Sequence, residues 1–173
     1  SDAEQRAILK DLESAARYAR QRGVLIVTSS GNQASDLQHP GIDDSSPDWP
    51  PGSAEIRDVK NNCRVAPTEF SGALTVSSTG PIGYPGYDLW IADYSSVGMS
   101  RVNVTAPGGD YFQATGTVND AILAGLTSTS DPVDGIWDFF DFLNTNVPAF
   151  YGMTTIESGA RYAYLNGTSM SSP

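Results

Sequence analysis

The sequence is poor in cysteine, histidine and positive charge. It has one cysteine and one histidine, and its ten lysines and arginines face twenty aspartates and glutamates, for a net charge of −10. The single thiol, Cys63, excludes an internal disulfide and the paired thiolates of zinc fingers and dithiol redox sites. The acidity argues against nucleic acid as a partner, because phosphate binding needs clustered cations. No apolar run approaches the roughly 18 residues of a membrane helix, so no membrane partner is predicted.

The N-terminal segment predicts a helix that leads into a buried strand. Apolar residues recur there at helical spacing, and Gly23 supplies a stop. Residues 24–27 form a continuous apolar run, which is typical of a strand buried on both faces of a parallel sheet. Ligands of such sheets bind beyond the carboxyl ends of the strands, which puts Asn32 on the reactive edge of an α/β fold. The apolar residues form one stripe along the helix: Ile8, Leu12, Ala15, Ala16 and Ala19. The opposite, outer face is basic and consists of Arg17, Arg20 and Arg22.

The rest of the chain alternates turn-rich segments with short apolar runs. Residues 33–62 are dense in Pro, Gly, Asp and Ser and predict a long surface loop. Strands are predicted at 73–78, 102–105 and 161–165, an exposed hairpin segment at 84–91, and a further apolar run at 121–126. The length fits one domain or part of one, since domains usually have about 100–200 residues.

The most informative segment is Asn-Gly-Thr-Ser-Met-Ser-Ser-Pro at 166–173. Gly167 lets the backbone approach a substrate, and the small Thr168 leaves Ser169 accessible, as a serine nucleophile requires. This run resembles the nucleophile segment of subtilisin-like serine proteases. Three further segments match that family in order: the strand and Ser-Gly-Asn turn at 24–32, a secreted-member strand at 67–78, and Ser-Ser-x-Gly with Ala-Pro-Gly at 94–109.

The resemblance implies roles for particular residues. Ser169 would be the nucleophile, and the side-chain NH2 of Asn32 and the backbone N–H of Ser169 would bind the oxyanion. Sedolisin-like peptidases also use a Gly-Thr-Ser turn, but usually with Ala after the serine and Asp as the donor. Met170 and Asn32 therefore favour the subtilisin side. The substrate-binding residues implied are Thr28, Ser29, Ser30 and Gly31 as a pocket wall, Gln33 at its rim, and Thr168.

Two expected parts of such a domain are missing from this sequence. The family's Asp and His lie upstream of the Asn-bearing strand, yet residues 1–31 contain neither of the expected turns. His39 follows Asn32 in a polar loop, so it is interpreted as a solvated histidine and not as the general base. We expect residues 1–173 to be part of one peptidase domain of a secreted, bacterial-type parent, truncated at both ends, with 131–158 as an insertion. Without Asp and His the chain alone is expected to be inactive.

Metal and partner expectations follow from the same comparison. No cofactor is assigned with certainty, and calcium stays open for the parent. A weaker family calcium site is disfavoured here, because Arg101 and Asn103 stand where carboxylates would be needed. The expected partners are a peptide or protein substrate, the missing upstream segment, and a second copy through exposed sheet edges. Four carboxylates cluster in one segment: Asp131, Asp134, Asp138 and Asp141. They are interpreted as a solvated face beside a small aromatic lid.

Two other functions stay open at this point. One is a non-catalytic subtilisin-like module for binding or assembly, whose parent also lacks Asp or His. The other is an unrelated α/β domain with a coincidental serine turn. A fold without a parallel sheet would favour the second.

The neutral rim residue Gln33 generates a prediction about specificity. Because it offers no charge to attract Lys or Arg, the parent enzyme is expected to accept apolar or aromatic side chains before the cleaved bond. Cleavage-site profiling with a peptide library measures this preference. A profile dominated by basic residues at that position would contradict it.

Overall fold

The computed structural model describes residues 2–43, 56–60, 63–80, 91–109, 126–128, 136–148 and 154–172. Within these ranges the chain forms three helices and eight strands. The helices are α1 (Asp2–Gln21), α2 (Ile136–Asn146) and α3 (Thr168–Ser171). The strands are β1 (Val27–Ser29), β2 (Ile42–Asp43), β3 (Arg57–Asp58), β4 (Leu74–Thr79), β5 (Val104–Pro107), β6 (Leu126–Ser128), β7 (Thr154–Glu157) and β8 (Ala160–Tyr164).

A three-stranded parallel sheet positions the candidate site. Its strand order is β1-β4-β5, with Ser29 opposite Val76 and Thr79 opposite Pro107. The carboxyl ends of all three strands therefore lie at one edge, where α3 contacts each of them. The predicted α/β class, with a parallel sheet and flanking helices, is confirmed.

The central strand β4 is buried through small hydroxyl side chains. Residues 75–79 (Thr-Val-Ser-Ser-Thr) are all buried. Thr75 Oγ1 donates to the Thr68 carbonyl at 2.7 Å, and the Ser78 N–H donates to Ser95 Oγ at 2.9 Å. Buried polar groups are stable only when they are paired. The interior of this sheet is thus compact and hydrogen-bonded, with few large apolar side chains.

The prediction that residues 24–27 are buried on both faces is wrong. The strand is Val27–Ser29, and Val24, Leu25 and Val27 are 54%, 66% and 41% exposed. The physical reason is the strand order, since β1 lies at the end of the described sheet and pairs there with β4 alone. An apolar run specifies a strand, but neighbouring strands and layers decide how much of it is covered.

Helix α1 has the predicted ends, and its packed face agrees with the prediction in part. It ends at Gln21, two residues before Gly23, whose φ of +79° is the left-handed geometry expected of a glycine stop. Ile8 and Leu12 of the predicted stripe are exposed. Arg20, assigned to the outer face, instead donates to the Ser71 carbonyl. The half-buried positions of the helix include Ala16 and Ala19 of the predicted stripe, while Leu9 and Glu13 take the place of Ile8 and Leu12.

The long loop predicted at 33–62 contains regular structure. Strands β2 and β3 pair antiparallel, with Ile42 opposite Asp58. Residues 44–55 and 61–62 lie outside the described residues. The strands predicted at 73–78 and 161–165 are found as Leu74–Thr79 and Ala160–Tyr164, and the one at 102–105 lies slightly later, at Val104–Pro107. The predictions for 84–90 and 121–125 also fall outside the described residues.

The segment interpreted as an insertion forms α2 and β7. Strands β6, β8 and β7 make an antiparallel sheet in that order. Trp137 is buried and packs edge-to-face on Phe140, with ring centroids 5.8 Å apart, while Arg161 lies 5.5 Å above the Trp137 ring. Phe139 and Phe142 are exposed, so the described aromatic residues of this segment are packed only in part. Whether 131–158 is an insertion stays a prediction.

The described helices contain none that is both long and apolar enough to cross a membrane.

The start of β4 generates a stability prediction. Asn103 Oδ1 accepts the backbone N–H of buried Thr75 at 2.7 Å. The substitution Asn103→Ala leaves that N–H without its acceptor and is expected to lower the free energy of unfolding by about 1–2 kcal/mol. Asn103→Asp keeps an acceptor oxygen and is the matched control. Urea denaturation measures both variants, and equal midpoints for the alanine variant and the unmodified protein would refute the prediction.

Candidate active site

The serine-bearing turn leads from β8 into α3, and Ser169 is the second residue of α3. In α3, Thr168 and Ser171 are buried, whereas Ser169 is exposed. The short helix is therefore anchored by the buried Thr168 and Ser171, and Ser169 lies on its exposed side. Gly167 is buried, and a Cβ there would lie 3.4 Å from Asn32 Nδ2. That is an ordinary contact distance, so the preference for glycine at 167 comes from its φ of +154°.

Asn32 follows the carboxyl end of β1 after a glycine turn. The Ser30 N–H donates to the Val76 carbonyl at 2.9 Å and extends the pairing of β1 with β4 by one residue. Gly31 then has φ of +103°, and a Cβ at this position would lie 2.8 Å from Gln33 Oε1. Only glycine adopts this turn without strain. The chain therefore leaves the sheet sharply and sets Asn32 above its edge.

Two hydrogen bonds fix the orientation of the Asn32 carboxamide. Its Oδ1 accepts the Thr168 N–H at 2.9 Å and the Thr168 hydroxyl at 2.7 Å, across 136 positions of sequence. The same hydroxyl oxygen accepts the Gly31 N–H at 3.2 Å. Because both donors point at one atom, that atom must be the oxygen, and the NH2 group is left to donate elsewhere. The structure thus places Asn32 against the residue that precedes Ser169.

The residues predicted to form the pocket are divided between two environments. Thr28 and Ser30 are buried, and the Ser29 carbonyl accepts the Thr68 hydroxyl at 2.8 Å. Gln33 is exposed and lines an open cleft of about 720 Å³. Thr28 to Gly31 are not among the lining residues of that cleft. Its apolar walls are formed mainly by Leu37, Ile42, Val59 and Val65.

His39 lies on the exposed loop with a local carboxylate partner. Its Nδ1 is 3.0 Å from Asp36 Oδ2, and its side chain is 74% exposed. Asp36 Oδ1 also accepts the N–H groups of Gln38 and His39. These hydrogen bonds, that of the His39 ring first, lower the pKa of Asp36 below its usual value. Asp36 and His39 therefore pair with each other within a solvated turn.

The stretch considered for calcium is occupied by protein contacts. Arg101 Nε lies 3.3 Å from Glu69 Oε1, and this carboxylate side chain is only 6% exposed. The Val65 N–H donates to the other oxygen of Glu69 at 2.8 Å. The described residues contain no group of three or more side chains suited to hold a metal. Of the four clustered aspartates, Asp141 pairs with Arg161 at 3.5 Å, and Asp131 and Asp134 lie outside the described residues.

Sequence reasoning missed the residues that support the turn from below. Gly108 was noted only as part of an Ala-Pro-Gly signature, yet its carbonyl accepts the Gly167 N–H at 2.8 Å. Tyr94 directly precedes the Ser-Ser-x-Gly signature, and its hydroxyl donates to the same carbonyl. A tyrosine next to a signature of small residues was the available signal.

Fold and site together define an α/β protein with a serine-bearing turn held against an asparagine at the sheet edge. The sequence matches the Subtilase family over residues 3–173, and the chain therefore belongs to that family. No curated protein sequence matches it significantly.

The fold is shared with a solved structure. The crystal structure of a lanthipeptide protease has a TM-score of 0.55 and 22% identity, over 99% of this chain and 39% of that chain. The epidermin leader peptide processing serine protease from Staphylococcus aureus has 20% identity and a TM-score of 0.45, over 94% of this chain and 30% of its own. The chain thus spans well under half the length of either protein.

The Thr168 hydroxyl generates a prediction about Asn32. The substitution Thr168→Val keeps the shape but removes the donor to Asn32 Oδ1 and the acceptor for the Gly31 N–H. It is expected to destabilise the protein by about 1–2 kcal/mol and to broaden or shift the Asn32 side-chain NH2 signals in NMR spectra. Thr168→Ser keeps the hydroxyl and is expected to preserve those signals. Unchanged Asn32 signals in the valine variant would show that the contact does not orient the amide.

Proposed function

We propose that this chain carries the nucleophile and one oxyanion donor of a serine endopeptidase. The observation that carries the proposal is the pair of hydrogen bonds from Thr168 to Asn32 Oδ1. These bonds hold the Asn32 oxygen against the residue that precedes Ser169, and both Asn32 and Ser169 are exposed. A preorganised donor next to a nucleophile is the arrangement that acyl transfer requires.

The reaction follows from the positions of these groups. The Ser169 hydroxyl attacks the peptide carbonyl carbon, and its proton passes to a histidine supplied from outside these 173 residues. The developing oxyanion accepts hydrogen bonds from the Asn32 NH2 group and the Ser169 backbone N–H. The latter belongs to the first turn of α3, where helical N–H groups have no intrahelical partner. The amine leaves with the proton, and water then hydrolyses the acyl-enzyme.

The chain by itself is proposed to be inactive. His39 is the sole histidine of the sequence, and its ring is held by Asp36 on the exposed loop. Without a base, the Ser169 hydroxyl stays protonated and is a weak nucleophile. The upstream segment that would supply Asp and His is thus the proposed partner of this chain. A peptide or protein is the proposed substrate, and no metal is assigned to the described residues.

The environment of the parent protein is also a proposal. Secretion rests on the resemblance of residues 67–78 to a strand segment of secreted bacterial subtilases. The lack of a catalytic base in this chain favours one second candidate function, a non-catalytic binding module. The sequence upstream of this chain discriminates between the peptidase and the binding module, since a catalytic parent needs an Asp-containing turn and a His-Gly-Thr segment.

Active-site labelling tests the proposal. A fluorophosphonate probe, which reacts with activated serines, is expected to label Ser169 in the complete protein but not in the isolated 173-residue chain. Ser169→Ala is expected to abolish labelling and peptide hydrolysis, while Ser100→Ala, at an exposed turn, leaves both unchanged. Labelling that survives Ser169→Ala, or robust hydrolysis by the isolated chain, would overturn the proposal.

A second arm of the experiment tests the oxyanion donor. Asn32→Leu is expected to lower turnover by about 10²–10³ with little change in probe accessibility. That magnitude belongs to subtilisin itself and is carried over by family membership. Turnover unchanged by this substitution would remove Asn32 from the mechanism.

A further inference from the structure

We infer that Tyr94 is a positioning residue that joins the Asn32 loop to the serine-bearing turn. The inference rests on the proposed function, because it concerns how the two parts of that site keep their spacing. Tyr94 itself contacts neither Ser169 nor Asn32 in the hydrogen bonds described below. It acts through the backbone on both sides.

The first connection runs from the Tyr94 hydroxyl to the serine-bearing turn. Tyr94 OH lies 2.9 Å from the Gly108 carbonyl oxygen, 2.5 Å from that of Gly109 and 2.7 Å from Ser78 Oγ. A phenol has one proton, so the two carbonyl oxygens share it, and in the contact with Ser78 either hydroxyl can be the donor. The Gly108 carbonyl also accepts the Gly167 N–H at 2.8 Å. Tyr94 and Gly167 therefore hold the same oxygen.

Close packing makes this connection stiff. A Cβ at Gly108 would lie 2.1 Å from Ser171 Oγ and 2.6 Å from the Gly167 carbonyl oxygen. The backbone at 108 is thus in direct contact with both ends of the turn that carries Ser169. Any displacement of the Gly108 peptide must move that turn, since closely packed interiors transmit strain.

The second connection runs from the Tyr94 backbone to the Asn32 loop. The Tyr94 carbonyl accepts the Ala34 N–H at 2.8 Å, two residues after Asn32. The Ser96 N–H donates to the Gly31 carbonyl at 2.9 Å, just before Asn32. The loop is therefore held on both sides of Asn32 by the segment that contains Tyr94.

One residue thus fixes both partners of the proposed oxyanion site. Its main chain positions the Asn32 loop through a hydrogen bond from the Ala34 N–H. Its hydroxyl positions the Gly108 carbonyl, which accepts the Gly167 N–H of the serine-bearing turn. Displacements well below 1 Å matter in such sites, because catalysis depends on donors aimed at the developing charge. A phenylalanine would keep the ring and the main-chain connection and remove only the hydroxyl connection.

The substitution Tyr94→Phe in the complete protein tests the inference. It is expected to lower kcat by about 3–10-fold, the rate equivalent of one lost hydrogen bond, with KM changed less than twofold. Binding of a peptide boronate, which mimics the tetrahedral intermediate, is expected to weaken by the same factor as kcat/KM. Tyr18→Phe, on the exposed face of α1, is the matched control and is expected to change none of these values.

A second measurement is independent of turnover. The Gly167 amide is expected to exchange with solvent deuterium faster in Tyr94→Phe than in the unmodified protein, and Tyr18→Phe leaves its exchange unchanged. Unchanged kcat and unchanged Gly167 exchange would overturn the inference. A rise in KM equal to the fall in kcat/KM, with a large loss of thermal stability, would also overturn it by showing a general structural role.

The two proposals fail in different ways. If the unmodified complete protein hydrolyses no peptide and does not react with the serine probe, the proposed function fails. The exchange of the Gly167 amide then still decides whether Tyr94 holds the turn.

Discussion

The contact between Asn32 and Thr168 is the constraint on which the rest of the site depends. Three hydrogen bonds tie the end of β1 to the start of α3, and the Thr168 hydroxyl takes part in two of them. Thr168 is buried, so its hydroxyl is shielded from water although Asn32 is exposed. The Asn32 amide therefore has one orientation, and the outward side of the turn is left to Ser169.

The hydroxyl-rich interior follows from this arrangement. A short helix packs on three parallel strands only if the side chains between them are small, and serine and threonine are small while still able to pair with backbone. Ser78, Ser95 and Ser30 form one such chain of contacts beneath the site. The core holds the site by directional bonds more than by apolar volume, so a single lost hydroxyl or acceptor is expected to be felt at the turn.

Particular elements show how far sequence reasoning reached. The helix end before Gly23, the strand at Leu74–Thr79 and the strand before the serine turn were predicted nearly in place, because glycine stops and apolar runs act locally. The burial predicted for residues 24–27 and for Ile8 and Leu12 of α1 was wrong, since burial depends on neighbouring layers. The β2–β3 pair was missed because two-residue strands have no readable period.

The sequence by itself determined the chemistry available to this protein: one exposed-turn serine, one strand-end asparagine, and the order of segments that assigns the chain to the subtilase family. Only the tertiary structure decided which atom of Asn32 is held, and that Tyr94 and Gly108 stand behind the turn. The physical reason is the separation along the chain of the residues that interact. Residue type and local spacing specify turns and strands, whereas hydrogen bonds across 136 positions form only after parallel strands have aligned their carboxyl ends.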